Sequence, residues 1–578
     1  MSGASARWRA SSTLAVIPEL GSAALRRLFA PLRLAWRRSW IYRQFLNGEL
    51  PDRIRHQPFD PLPRRLDDAD ALLKGRFRYA GATLEAKSGD SKAGSIFDCA
   101  PPSSAWSEAL HGFDWLASLS AAGGTAARKL AAELIDQWLE RNARYAEPAW
   151  LPEVTARRLV QIFAHGRFVI ANSDMLWRSK LFVSLRRQAE VLGRTAGEAP
   201  DGLPRLAACV AHLLACTCLD DDPRHAQASL VRLEQELAVQ ILPDGGHISR
   251  SPEELLFAYR QIVMAVDALT ISGVPVPAGL RGAHDRVAPM LRFFRHGDGA
   301  LALFNGGGEG DARMVAALLA RDEVRGQPFL HAPHSGYQRL AAARSLVIMD
   351  CGAPPPGPFS CRAHAGCLSF EFGTGPHRLI VNCGAEKEEV SRWDGALRAT
   401  AAHSTVTLAD TSMAAVLPSG FARALLGPRL LGGRARVETQ RRETAHGWRV
   451  EAGHDFYLEE FGVVHRRELT LSPRGTSLTG CDFLVPQPAR RKHLAVPFAA
   501  RFHIHPDVRV APAHSSDILL KLPTGEGWRF RHGGTVSIEQ SVYAGHEGVR
   551  RAEQLVLRGV VTNEPLQIAW TFEQIGVE

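Results

Sequence analysis

CRAHAGCLSFEFGTGPHRLIVNCGA, residues 361–385, and RATAAHSTVTL, residues 398–408, decide how this chain is read. The first contains short runs rich in β-branched and aromatic residues broken by glycine, the second contains the β-branched run STVTL, and each carries a histidine ahead of its strand-like run, His364 or His403. Such runs predict strands that fold back on one another. Similar runs recur from LALFN at Leu301 to LQIAWTF at Phe572, among them RSLVIMDCG, WRVEAG, RRELTLS and ARFHIHP. That spacing predicts a large antiparallel β-sandwich.

Upstream of about residue 300 the period becomes helical. SEALHGFDWLASLSAAGG sets Leu110, Phe113, Trp115, Leu116 and Leu119 mostly on one face and stops at Gly123-Gly124. TAARKLAAELIDQWLERNAR then opens on Thr125, an expected N-cap, and continues the stripe through Leu130, Leu134, Ile135, Trp138 and Leu139. About eight such stretches in series predict helical hairpins packed side by side in an arc or ring. NGGGEGD, Asn305–Asp311, falls at the change of period, where a flexible hinge is expected or a close approach of backbone to ligand.

The composition, 578 residues with 45% hydrophobic and 22% charged, is that of a globular protein with two or more domains. Its net charge of +9 is nearly all in residues 1–65, which hold twelve arginines, no lysine and four acids. The body is close to neutral, so no nucleic-acid partner is expected. From Leu25 to Phe45 the arginines alternate with Leu, Phe and Trp at helical spacing. Such a helix either packs on the first domain, the favoured reading, or lies on an anionic surface, a membrane or nucleic acid, of which peripheral membrane contact is the one expected here. STLAVIPEL contains Pro18 and Glu19 and makes a poor export signal, and no run reaches the roughly 18 apolar residues of a membrane span. Nine cysteines without a CxxC pair favour a reducing compartment. A cytoplasmic or inner-surface protein is expected, with the periplasm as the alternative.

HGFDWLASL, PAWLPEVTARRL, LPDGGHISRSP, RAHAGCLSFEFG, LIVNCGA, LRATAAHSTVTL, VHRRELTLS and FHIHP, in that order, resemble the heparinase II/III-like family of polysaccharide lyases. The resemblance runs from about residue 107 to 573 and implies an incomplete α/α toroid followed by an antiparallel β-sandwich; with the arginine-rich leader read from charge, the expected division is 1–65 leader, 66–300 toroid and 301–578 sandwich. It also implies glycan bound in the cleft between them and β-elimination on a uronate-containing acidic polysaccharide. That chemistry requires no cofactor. It needs a group to neutralise the carboxylate, a base to take the C5 proton and an acid to protonate the leaving oxygen.

Candidates for these roles follow from the resemblance and from side-chain chemistry. His247, in a turn where Gly245 and Gly246 would let backbone approach a sugar, or His403 is the expected proton carrier, because histidine titrates near neutrality. Tyr259 is the nearest match to the family's toroid tyrosine base, although a core tyrosine is the favoured reading. Arg250 or Arg362 would hold the uronate carboxylate in a bidentate fork, with a structural salt bridge as the equal alternative for Arg250, and Arg398 would support substrate binding. Family members often carry His-Ala-His, the first catalytic and the second a ligand of structural zinc together with an aspartate and a later histidine. Here the pattern is Arg362-Ala363-His364 and the aspartate position holds Asn382. His364, His403 and Asn382 are therefore a poor zinc set, and two buried histidines hydrogen-bonded to each other are the alternative. His503 and His505 share a strand face and are expected to be structural. The departures at 362 and 382 open a second function, a glycan-binding or assembly protein that has kept the cleft and lost the base. Hydrolysis would require paired carboxylates, and no strong pair stands out.

Overall fold

The computed structural model describes residues 17–46, 49–61, 66–86, 95–220, 223–322, 326–386, 393–431, 436–487, 495–513 and 517–576. Arg7, Arg9, Arg64 and Arg65 lie outside them.

The helical half is organised around Leu203–Leu219, which packs against Pro152–His165, Pro223–Gln240 and Pro252–Ile271. Its sequence LPRLAACVAHLLACTCL explains that central place: alanine and cysteine let neighbouring helices approach, and Cys209, Cys216 and Cys218 are buried as small hydrophobes. The expected helix after Gly123 runs Gly124–Arg141, but Thr125 does not cap it; Gly123, at φ +67°, holds the cap position with no side-chain bond. The helical core includes Met314, Val315 and Leu318 from Ala312–Leu319, so it runs past residue 300. It also takes in Tyr42, Leu46 and Ile54 from the basic leader.

Two antiparallel sheets follow. One joins, in order, Thr535–Gly545, Gly548–Val561, Val496–Ile504, His377–Val381, Phe370–Thr374, Ser345–Asp350, Tyr337–Ala342 and His331–Ala332, with Val406–Leu408 paired to Val496–Ile504. The other runs from Val437–Thr444 through Gly447–His454, Val463–Leu471, Ser477–Pro486, Leu566–Gln574, Gly527–His532 and Ile518–Lys521 to Arg509–Pro512. Phe370, Phe372 and Phe502 from the first sheet share a core with Trp528, Phe530, Trp570 and Phe572 from the second. Phe370 stacks on Trp570 with centroids 5.4 Å apart. The two sheets thus bury their apolar faces against each other.

The leader forms helices Ile17–Leu28, Ala30–Arg38 and Trp40–Gln44. Leu20 and Ala23 pack on Leu417, Leu426 and Leu431 of the sheet half, and Glu19 pairs with Arg429. Farther on, Arg37 bonds Glu198 at 2.5 Å and the Tyr145 hydroxyl at 3.2 Å in the helical half. The leader therefore spans both halves.

Candidate functional site

The turn LPDGGHISR, where a sugar contact is expected, grips protein instead. A Cβ on Gly245, at φ +87°, would lie 2.0 Å from the Arg286 carbonyl oxygen, and one on Gly246 1.8 Å from Ser335 Oγ. The glycines are needed because a helix and the sheet half come that close. Asp244 accepts hydrogen bonds from the backbone N–H of His334 (2.8 Å) and Ser335 (2.6 Å) and from Ser335 Oγ (2.7 Å).

Arg250 completes this clasp. At φ +60° it turns its side chain across the seam. Nε donates to Ser335 O at 2.8 Å, Nη1 to Gly352 O at 3.1 Å and Ala353 O at 2.8 Å, and Nη2 to Gly336 O at 3.2 Å and to the Asp350 carboxylate. A guanidinium has five N–H donors, and all five are used. Arg250 is thus a bridge between the halves and has no donor left for a uronate. Asp350 is held in turn by Asn305 Nδ2 at 3.2 Å, and Tyr337 Oη donates to the Arg250 carbonyl at 2.6 Å.

His247 lies inside the same turn, 1% exposed. Its Nε2 is 2.9 Å from Gln240 Oε1 and its Nδ1 2.7 Å from Ser249 Oγ. Gln240 Nε2 donates to Gly202 O at 2.8 Å, which leaves Oε1 as the acceptor and fixes the imidazole as the Nε2–H tautomer. Burial pushes its pKa down. A neutral ring with both nitrogens engaged serves the turn; it is not positioned as a proton carrier. Tyr259 is fully buried in Pro252–Ile271, its hydroxyl 3.4 Å from His284 Nε2, and burial drives its pKa up. It is a core tyrosine.

On the sheet side, His364 Nδ1 is 3.2 Å from His403 Nε2, with the rings edge to face. His403 Nδ1 donates to Ala399 O at 2.9 Å, so its Nε2 lone pair accepts from His364. Burial lowers His403 to about 4 and, with His403 and Arg398 adding to it, pushes His364 well below the usual range. Arg398 spends Nε on Ala363 O (3.0 Å) and Nη2 on Ser360 O (3.2 Å), which holds the loop preceding His364; its role is to fix backbone. Asn382 donates Nδ2 to Leu303 O at 3.1 Å and accepts from Ser404 N–H at 3.1 Å through Oδ1. With Asn382 committed to backbone, the zinc reading keeps two histidines, and no group of three His, Cys, Asp or Glu gathers among the described residues. These residues do not fit a closed four-coordinate structural zinc.

Arg362 is exposed. The glycine run is not a loose hinge: a Cβ on Gly306 would meet the Arg362 carbonyl oxygen at 2.0 Å, and Gly308 N–H donates to Glu253 at 2.8 Å. The structure brings Arg250 and His364 to one enclosed space, shared with Asp350, Cys367 and Phe456 and too narrow to admit a water molecule. Asp244, Asp350, Asn305 and Tyr337 were not among the residues singled out from sequence. Asp350 had one signal, a carboxylate ending the apolar strand SLVIMD.

Comparison with known proteins agrees with this architecture. Residues 324–571 match the family described as Heparinase II/III-like, C-terminal. The chain is 35% identical over 526 residues to FtsZ-localized protein C of Caulobacter vibrioides, covering 89% of both. Its structure resembles that of heparinase III (TM-score 0.68, 12% identity, 98% of this chain and 92% of that one). It also resembles a mutant heparan sulfate lyase HepC from Pedobacter heparinus (TM-score 0.63, 14% identity, 96% and 90%). By sequence and by fold, the chain belongs to the heparinase II/III-like family.

Proposed function

We propose that this chain is a non-catalytic assembly protein built on the lyase frame, an incomplete α/α toroid with a β-sandwich. The observation that carries the reading is Arg250. Its five donors tie the halves together where the family resemblance implies an open glycan cleft, and the space beside it and His364 takes no sugar ring. Arg362 stands where family members often have a catalytic histidine, and it cannot act as a base near neutral pH. His403, at about 4, is almost never protonated at neutral pH and is a poor acid for a leaving oxygen. The Caulobacter relative is named for localisation with FtsZ, and we carry that association to this chain as recruitment to FtsZ assemblies.

The competing reading is cleavage of an acidic polysaccharide by β-elimination. The test offers folded protein a panel of uronate polymers and follows ultraviolet absorbance from the new carbon–carbon double bond, with co-pelleting on assembled FtsZ in parallel. No absorbance and co-pelleting are expected; steady absorbance growth would restore the lyase.

A second reading concerns place. Leu25, Leu28, Phe29, Leu32, Trp36 and Trp40 project from the leader into solvent, Leu28, Leu32 and Trp40 by two thirds or more. Arginines flank them. Apolar and tryptophan side chains beside arginines suit a helix lying in an anionic membrane surface. No described helix is long and apolar enough to cross a membrane. We therefore place the protein on the cytoplasmic face of a membrane, tested by flotation with vesicles; protein left at the bottom of the gradient would refute it.

A further inference from the structure

Beside the exposed stripe lies an open hollow of about 480 Å³ between the first two leader helices, the 424–429 segment and Asp201. Arg26, Arg27, Arg33 and Arg429 line it together with Ser22 and Glu19. Glu19 is already paired with Arg429, and Asp201 with Arg205 at 2.5 Å. Arg33 Nη2 reaches back to Arg26 O at 2.9 Å, and Arg27 Nη1 reaches Ala424 O at 3.5 Å. The three leader arginines thus converge on one hollow with no carboxylate opposed to them in it that is not already taken. Their guanidinium groups keep other N–H donors for a ligand.

On the first leader helix, at 100° per residue, the face carrying Ser22 and Arg26 sits about a third of a turn from the line of Leu25 and Leu28. A helix floating with its leucines in the acyl boundary therefore holds this hollow at headgroup depth. Resting on the membrane reading above, we propose that the hollow is a binding site for the phosphodiester of an anionic phospholipid headgroup, clasped between the leader and the sheet half. Arginine forks suit phosphate oxygens, and the adjoining leucines receive the tails of the same molecule. Because Arg429 and the 424–426 backbone belong to the sheet half, the lipid would bridge the leader and the sheet half, as Arg250 bridges the halves on the inside.

The test uses the full chain and vesicles of phosphatidylcholine alone or with phosphatidylglycerol, measuring the partition coefficient. One variant, Arg26→Gln with Arg33→Gln, empties the hollow of two cations. A charge-matched control, Arg38→Gln with Arg43→Gln, removes two exposed leader arginines outside it. Simple attraction to an anionic surface costs each pair the same, roughly fivefold per arginine at about 1 kcal/mol each. A headgroup site predicts that the hollow variant alone loses at least a further tenfold on phosphatidylglycerol, about the cost of one charge-assisted hydrogen bond. Equal losses in the two variants would overturn the site and leave the membrane reading standing. Wild-type protein that binds neither vesicle overturns both. Wild-type binding abolished by inorganic phosphate, at matched ionic strength in chloride, would assign the hollow to free phosphate and overturn the lipid.

Discussion

The sheet half contains two histidine pairs of nearly the same geometry. His364 meets His403 with ring centroids 5.2 Å apart at 81°, and His454 meets His465 at 5.1 Å and 84°. The nitrogens approach to 3.2 and 3.3 Å. What differs is the anchor. His403 ends on the carbonyl of Ala399, whereas His465 Nε2 lies 2.8 Å from Asp482, a buried carboxylate that also takes two bonds from Arg467 and one from Trp570. The second pair is part of a charged network in the sheet core, and the first is an uncharged joint near the seam. A shared geometry therefore does not make a shared chemistry: burial pushes all four imidazoles down, but only one pair rests on charge.

The largest expected effect tests that difference. Asp482→Ala leaves Arg467 buried without its counter-charge and should cost about 3–5 kcal/mol of stability, read by denaturant unfolding. Replacing both Asp482 and Arg467 with leucine and methionine should cost far less, because no lone charge remains. A loss below about 1 kcal/mol for Asp482→Ala would mean that the network does not support its histidines through charge.

Much of the architecture was readable because it rests on local periodicity. WRVEAG lies in Gly447–His454, STVTL gives Val406–Leu408, and the arginine-rich stripe gives the leader helices. The site was less legible because its decisive contacts join residues far apart in sequence. Arg250 bonds to positions 85 to 103 residues away, and nothing in LPDGGHISR distinguishes glycines that approach a sugar from glycines that approach Arg286 and Ser335. His364 and His403 could be named from sequence, but the partner on the outer nitrogen, a carbonyl rather than a carboxylate, could not.

Next in size is the clasp. Arg250→Lys keeps the charge beside Asp350 but cannot fork to four backbone carbonyls. It should cost about 1–3 kcal/mol through the acceptors it strands, with proteolysis first appearing at the seam near Ser335–Ala353. Unchanged stability would remove Arg250 as the joint.

The uncharged pair should respond to acid. His403 titrates near 6.5 when unfolded and at about 4 when folded. Its contribution is therefore complete above pH 6.5 and is lost as the pH falls through about 4. In between, the unfolded chain binds the extra proton and stability drops by about 1.4 kcal/mol per pH unit. His403→Asn should take up about one proton fewer on unfolding at pH 5. Identical uptake would mean that the ring is not held neutral by burial.

The smallest effect is expected where the family resemblance is most tempting. Arg362→His would rebuild His-Ala-His, and if one missing base were all that separated this chain from a lyase, elimination should return. Arg362 is exposed, so the change should move stability by no more than about 0.5 kcal/mol. On the assembly reading proposed above, the variant should also show no elimination. A new imidazole at 362 would supply a base but no group to neutralise the carboxylate, since Arg250 has every donor engaged. Elimination needs the carboxylate neutralised before the base can act, so a base alone gains nothing. Measurable unsaturated product from Arg362→His would place the loss at that single position and reopen the seam as a substrate cleft.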